Sequence, residues 1–124
     1  MIYGAQRLLS DLTALGYQAE LTTVGGNTYA IIHNYEVEMG RFQGRIIDLG
    51  FMAMADFPRT VASAIHVRAN PQLLEKSDTV PNVRNIIDSP LGGEWRYWSH
   101  NFQWNVERNA RRLMSQINGI FKNA

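Results

Sequence analysis

Ser99 and His100 are neighbours inside a ten-residue window, 95 to 104, that holds all three tryptophans of the chain: Trp95, Trp98 and Trp104. A histidine titrates near neutrality and can move a proton to or from a reacting group. A serine hydroxyl becomes a nucleophile only when such a base accepts its proton, and the base needs a third group to orient it. Asp88 and Glu94 are the carboxylates near enough in sequence for that part. Ser99 and His100 are therefore the candidate catalytic residues, and acyl transfer or hydrolysis is the chemistry they suit. Adjacency along the chain does not make a hydrogen-bonded pair, however. The plainer alternative is a histidine packed on tryptophan and bonded to a backbone group.

The other residue types narrow the chemistry. Trp95, Tyr97, Trp98, Phe102 and Trp104 suit a partner-binding platform, because aromatic residues are enriched at interface hot spots. They suit equally well a satellite core with each indole N–H bonded locally. His33, His66 and His100 are too widely spaced to suggest the converging ligands of a zinc site, so no metal is expected. No Gly-x-x-x-x-Gly-Lys or Gly-x-Gly-x-x-Gly run is present, and no cofactor is expected. Asp56, Asp78 and Asp88 are scattered, and the first two read as loop residues bonded to nearby amides. The chain has no cysteine, which excludes a disulfide scaffold, a thiolate metal site and a thiol nucleophile.

The elements that must position these residues follow from the apolar pattern. At 124 residues, 45% apolar and 19% charged, the chain reads as one globular domain over 1–124. Ala5, Leu8, Leu9, Leu12 and Leu15 make a helical stripe over 4–15, and Gly16 stands where a left-handed cap belongs. Tyr17 to Val24 and Thr28 to Glu38 read as strands joined at Gly25-Gly26-Asn27. A third strand is expected over Phe42 to Met54, with Ile47, Leu49, Phe51 and Ala53 on one face. Asp56-Phe57-Pro58 breaks it, and Ala62 to Arg68 reads as a short fourth strand. Ala69 to Gly93 contains Pro71, Pro81 and Pro90 and reads as a long irregular segment. Within it, Ser89 to Gly93 is a turn that positions the aromatics. Asn105 is the expected cap of a last helix carrying Val106, Ala110, Leu113, Met114, Ile117, Ile120 and Phe121. The fold class is α+β, with the helices covering one face of a four-stranded antiparallel meander.

Net charge is +1, so no global field draws nucleic acid or anionic lipid, and neither is an expected partner. Arg108, Arg111 and Arg112 read as a solvated helix face. No apolar run reaches the length of a membrane span, and Met1-Ile2-Tyr3-Gly4 opens without a signal-peptide layout. A cytoplasmic location is the expectation.

The order helix, meander, irregular segment and helix, with Phe57-Pro58 after the third strand and Trp98-Ser99-His100 running on to Trp104, resembles the ubiquitin-conjugating (UBC-like) superfamily. It is most similar to bacterial conjugating-like proteins found beside activating-enzyme-like and ubiquitin-like partners. The likeness departs at several points. Thr60-Val61 stands where a Pro-Pro pair is common, and His66 and Asn70-Pro71 scramble the usual His-Pro-Asn. Above all, the cysteine that carries the thioester is missing. The resemblance implies a UBC-like domain acting as a protein-binding module in a bacterial ubiquitin-like modification or defence system. Its partner would be a ubiquitin-like or an activating-enzyme-like protein, and Phe57, Pro58, Trp95, Trp98 and Trp104 would supply the contact surface. The alternative is an enzyme using His100, with Ser99, on a modifier's C-terminus.

Overall fold

The computed structural model describes residues 3–105 and 107–124. Met1, Ile2 and Val106, which entered the sequence reading, lie outside the described residues. The elements are α1 (Ala5–Ala14), β1 (Gln18–Val24), β2 (Asn27–Glu36), β3 (Ile46–Met52), β4 (Ala64–Arg68), β5 (Ile86–Ser89), β6 (Gly92–Ser99) and α2 (Ala110–Asn123). All six strands form one antiparallel sheet in the order β1-β2-β3-β4-β6-β5.

The first four strands are the expected meander, and the α+β class holds. The strand count does not. The segment read as irregular contains β5, and the first half of the aromatic window belongs to β6, which inserts between β4 and β5. Trp98 and Ser99 therefore sit in a strand, opposite Ile65 and Ala64, and do not lead into a helix. Asn105 does not cap α2 either. Asn109 does, its side chain accepting from the Arg112 N–H at 2.8 Å.

Both helices pack on one face of the sheet. Leu8 and Leu12 of α1 and Leu113, Met114, Ile117, Ile120 and Phe121 of α2 meet Ala30, Ile32, Leu49, Ile65, Val67 and Trp98. These strand residues share a face because side chains alternate along a strand. Helix α1 ends where Gly16 takes φ 97°, and the Tyr17 N–H reaches back to the Leu12 carbonyl at 3.2 Å. That left-handed step costs little only at glycine.

The other face carries a smaller cluster of Tyr29, Ile31 and Trp95, with Val24, Met52 and Leu91 packed against it. The β5–β6 tip brings Leu91 over the sheet above Gly50. A Cβ at Gly50 would lie 2.9 Å from Ile31 Cδ1, 3.2 Å from Leu91 Cδ1 and 3.4 Å from Trp95 Cζ3. The absence of a side chain at position 50 is what lets the tip settle on the sheet.

Candidate functional site

An open groove of about 760 Å³ runs along one end of β3 and β4. Asn34, Ile46, Asp48, Arg68 and Glu94 line it from the sheet, and Asn70, Pro71, Gln72 and Glu75 from the loop beyond β4. Asp48 and Arg68 are opposite one another in the β3–β4 ladder, on the face away from the helices. The β2–β3 register shifts between Ile32 and Tyr35, and Asn34 inside that irregularity takes φ 55°. Asparagine tolerates this conformation better than most residues. The bulge carries Asn34 into the groove, where its N–H donates to Asp48 Oδ1 at 3.3 Å.

A line of charges crosses this end of the sheet. Glu20 Oε1 is 3.0 Å from His33 Nε2, and His33 Nδ1 is 3.5 Å from Asp48 Oδ1. Asp48 Oδ2 accepts from Arg68 Nε at 2.8 Å and Nη2 at 2.6 Å. The Arg68 guanidinium lies 5.0 Å over the Trp95 ring, and its Nη1 is 3.9 Å from Glu94 Oε2. Burial acts to raise the pKa of Asp48. The Arg68 and Asn34 hydrogen bonds, with the Arg68 and His33 charges, outweigh it and hold the carboxyl below its ordinary value. The floor of the groove is therefore a fixed ion pair braced on an indole. The loop wall is held by Arg96 Nε donating to Glu75 at 2.8 Å, by Gln72 donating to the Glu94 carbonyl and by Arg45 donating to the Pro71 carbonyl. Side-chain amides and carboxylates on the walls, with Ile46 53% exposed among them, match an extended peptide: polar groups for its backbone and one apolar contact.

The residues singled out from sequence fall elsewhere. Phe57 and Trp98 are core residues at 1% exposure, and Trp95, at 6%, covers the open face. Trp104 is half-buried, stacks against Phe57 at 6.3 Å and donates its indole N–H to the Pro58 carbonyl at 2.7 Å. The structure thus gathers Phe57, Pro58 and Trp104 into one packed corner, while Trp98 lies against Phe121. The five do not form a common surface.

Ser99 and His100 have different partners. Ser99 is buried, and its hydroxyl accepts from Arg84 Nε at 3.0 Å and Nη2 at 2.7 Å. His100 is half-exposed, its Nδ1 is 2.6 Å from the Asn82 carbonyl, and its ring meets Phe102 at 4.8 Å. It borders a shallow groove of about 260 Å³ with Asn82, Val83, Arg84 and Asn101. Neither Asp88 nor Glu94 orients this ring: Asp88 pairs with Lys76, and Glu94 lies at the larger groove. Of the other carboxylates, Asp78 accepts from the Glu75 N–H, whereas Asp56 accepts from the Thr60 hydroxyl and, among the described residues, from no backbone amide.

The structure brings a different serine and histidine together. His66 Nδ1 lies 2.8 Å from Ser89 Oγ, both buried on the open face, and the Leu91 N–H donates to the same hydroxyl at 3.1 Å. The three histidines have separate surroundings. Among the described residues no group of three or more His, Cys, Asp or Glu is placed to hold a metal ion. No helix among them is long and apolar enough to cross a membrane.

Sequence reasoning passed over the Asp48–Arg68 groove, although a signal was present. With Ile47, Leu49 and Phe51 on the core face, Asp48 must lie on the other. Comparison with protein-family models, curated proteins and solved structures gave no match.

Proposed function

We propose that this chain is a cysteine-free ubiquitin-conjugating-like domain that acts as a protein-binding module in a bacterial ubiquitin-like modification or defence system. Its contact surface is the groove between Asn34, Ile46, Arg68 and Gln72, in place of the aromatic residues first considered. The observation that carries the binding role is the make-up of that groove. It is open and peptide-sized, its charged floor is already paired, and an exposed isoleucine stands among side-chain amides. A floor that keeps its own ion pair suits recognition more than proton transfer. The helix before the meander and Phe57-Pro58 after β3 support the conjugating-like reading. The alternative, hydrolysis or acyl transfer at a modifier's C-terminus by His100, has one feature in its favour: the ring is half-exposed and held by a carbonyl. It lacks a nucleophile, since the Ser99 hydroxyl faces Arg84.

The test compares three folded baits in host lysate: the wild type, Ile46→Glu in the groove, and Ile87→Glu on exposed β5. The wild type and Ile87→Glu should retain the same ubiquitin-like or activating-enzyme-like protein, and Ile46→Glu should lose it. Equal recovery by all three baits, or none by any, sinks the reading.

A further inference from the structure

We infer that the outer edge of β1 is a self-association surface, on which a second copy of this chain adds its own β1 antiparallel and two-fold symmetric about Leu21.

Strand β1 ends the sheet, and its seven residues pair with β2 without a register shift, from Gln18↔His33 to Val24↔Asn27. The direction of its free backbone groups follows from the neighbouring ladder. The Thr28 carbonyl accepts from the Ala53 N–H at 2.8 Å, so the Thr28 backbone faces β3. Its partner Thr23 is then in a non-hydrogen-bonded pair, and the Thr23 N–H and C=O point out of the sheet. The alternation repeats at Leu21 and Ala19. Among the described residues nothing outside the sheet hydrogen-bonds these groups.

Natural edges are blunted by proline, lysine, bulges or short length. Strand β1, Gln-Ala-Glu-Leu-Thr-Thr-Val, has neither proline nor lysine, and its only charge, Glu20, is held by His33. The opposite edge is managed. Strand β5 has four residues, its register with β6 shifts between Asp88 and Ser89, and Pro90 follows.

The pattern on β1 selects a second copy as the occupant. The outward residues 19, 21 and 23 are symmetric about Leu21. Antiparallel pairing about that point sets Leu21 opposite Leu21 and Ala19 opposite Thr23, which gives about six new backbone hydrogen bonds. On the open face Glu20 meets Thr22 and Gln18 meets Val24, so no like charges face each other. Ala19 and Leu21 point toward the helix-side core but stay half-exposed because no strand lies beyond them. Leu21 and Thr23 of the second copy would cover them, and the two-fold axis repeats the same contacts in reverse, as an isologous interface requires.

Sedimentation velocity across a concentration series tests the inference with Thr23→Pro and Ile87→Asp as variants. Because the Thr23 N–H points outward, proline there leaves the β1–β2 ladder intact. The wild type and Ile87→Asp should show a concentration-dependent dimer, and Thr23→Pro should sediment as a monomer with an unchanged circular dichroism spectrum. Since the chain has no cysteine, Leu21→Cys adds a unique thiol. Facing Cα atoms in a hydrogen-bonded pair lie about 5.5 Å apart, within disulfide reach. L21C should cross-link under mild oxidation faster than I87C. A wild type that stays monomeric throughout, a dimer that survives Thr23→Pro, or equal cross-linking of the two cysteine variants overturns the proposal.

Discussion

His66 is a titratable side chain held where its charge is unwelcome. It is 3% exposed, lies opposite Gly50 and Tyr97 in the sheet, and is met edge-on by the Tyr29 and Tyr97 rings at 5.4 and 5.3 Å. Its polar neighbour is the Ser89 hydroxyl, and no carboxylate pairs with it among the described residues. Burial lowers its pKa from 6.5 to about 4. The unfolded chain therefore binds a proton below pH 6.5 that the folded chain refuses until about pH 4. Stability from this group is complete above pH 6.5, falls as the pH drops through that window, and levels off below it. The loss is roughly 3 kcal/mol. Denaturant unfolding at a series of pH values should show this limb in the wild type and not in His66→Phe; equal slopes for both would contradict it. Asp48 contributes separately. Its pKa is depressed, so its share is lost only as the pH falls below the ordinary carboxylate value of 3.8. At the same scale, Trp98→Ala should cost about 3–5 kcal/mol, read as a lowered denaturant midpoint, because the residue is 1% exposed and its removal leaves a cavity against Phe121.

The β5–β6 hairpin is the element that sets this surroundings, and it is the one the sequence concealed. The earlier strands were legible from their β-branched and aromatic runs and from the turn signals between them. Ile47, Leu49 and Phe51 alternate, and Gly25-Gly26, at φ 58° and 82°, makes the turn they imply. In β6, by contrast, Trp95 and Trp98 are both buried but on opposite faces, so no single stripe appears. Glycines at 92 and 93 and proline at 90 add a turn signature. The pairing that makes β6 a strand is with β4, whose partner residues lie about thirty positions back. The start of α2 was misplaced for a similar reason. The Trp104 indole is tied to the Pro58 carbonyl, a contact across the fold, and the chain enters the helix only at Asn109. The main groove was hidden because Asp48 and Arg68 meet only through the register. Gly50 is where the hairpin can be tested. Gly50→Val places methyl groups where Ile31, Leu91 and Trp95 already pack. Overpacking of this kind costs about 1–3 kcal/mol. The melting temperature should fall and Trp95 emission should shift as the tip lifts; an unchanged emission would mean that the tip does not rest on Gly50.

Across the whole molecule, the sheet has a large core on the helix side and a small cluster on the other, and the same strands serve both. Strand β2 gives Ala30 and Ile32 to one and Tyr29 and Ile31 to the other; β6 gives Trp98 to the first and Trp95 to the second. Alternation makes the two faces inseparable along a strand. Losing the open-face cluster by strand melting must therefore also withdraw residues from the core, so the two should unfold in one step. The tip alone has a different route, because Leu91 can lift from Gly50 without unpairing β4 from β6. The tryptophans distinguish these outcomes. A variant with Trp98 and Trp104 replaced by Phe reports the open face through Trp95. One with Trp95 and Trp104 replaced reports the core through Trp98. In each, the fluorescence midpoint in denaturant should coincide with that variant's circular dichroism midpoint, as a two-state domain requires. An earlier fluorescence transition confined to the Trp95 variant would instead make the β5–β6 tip a separately opening unit, poised over His66 and beside the Arg68 floor of the groove.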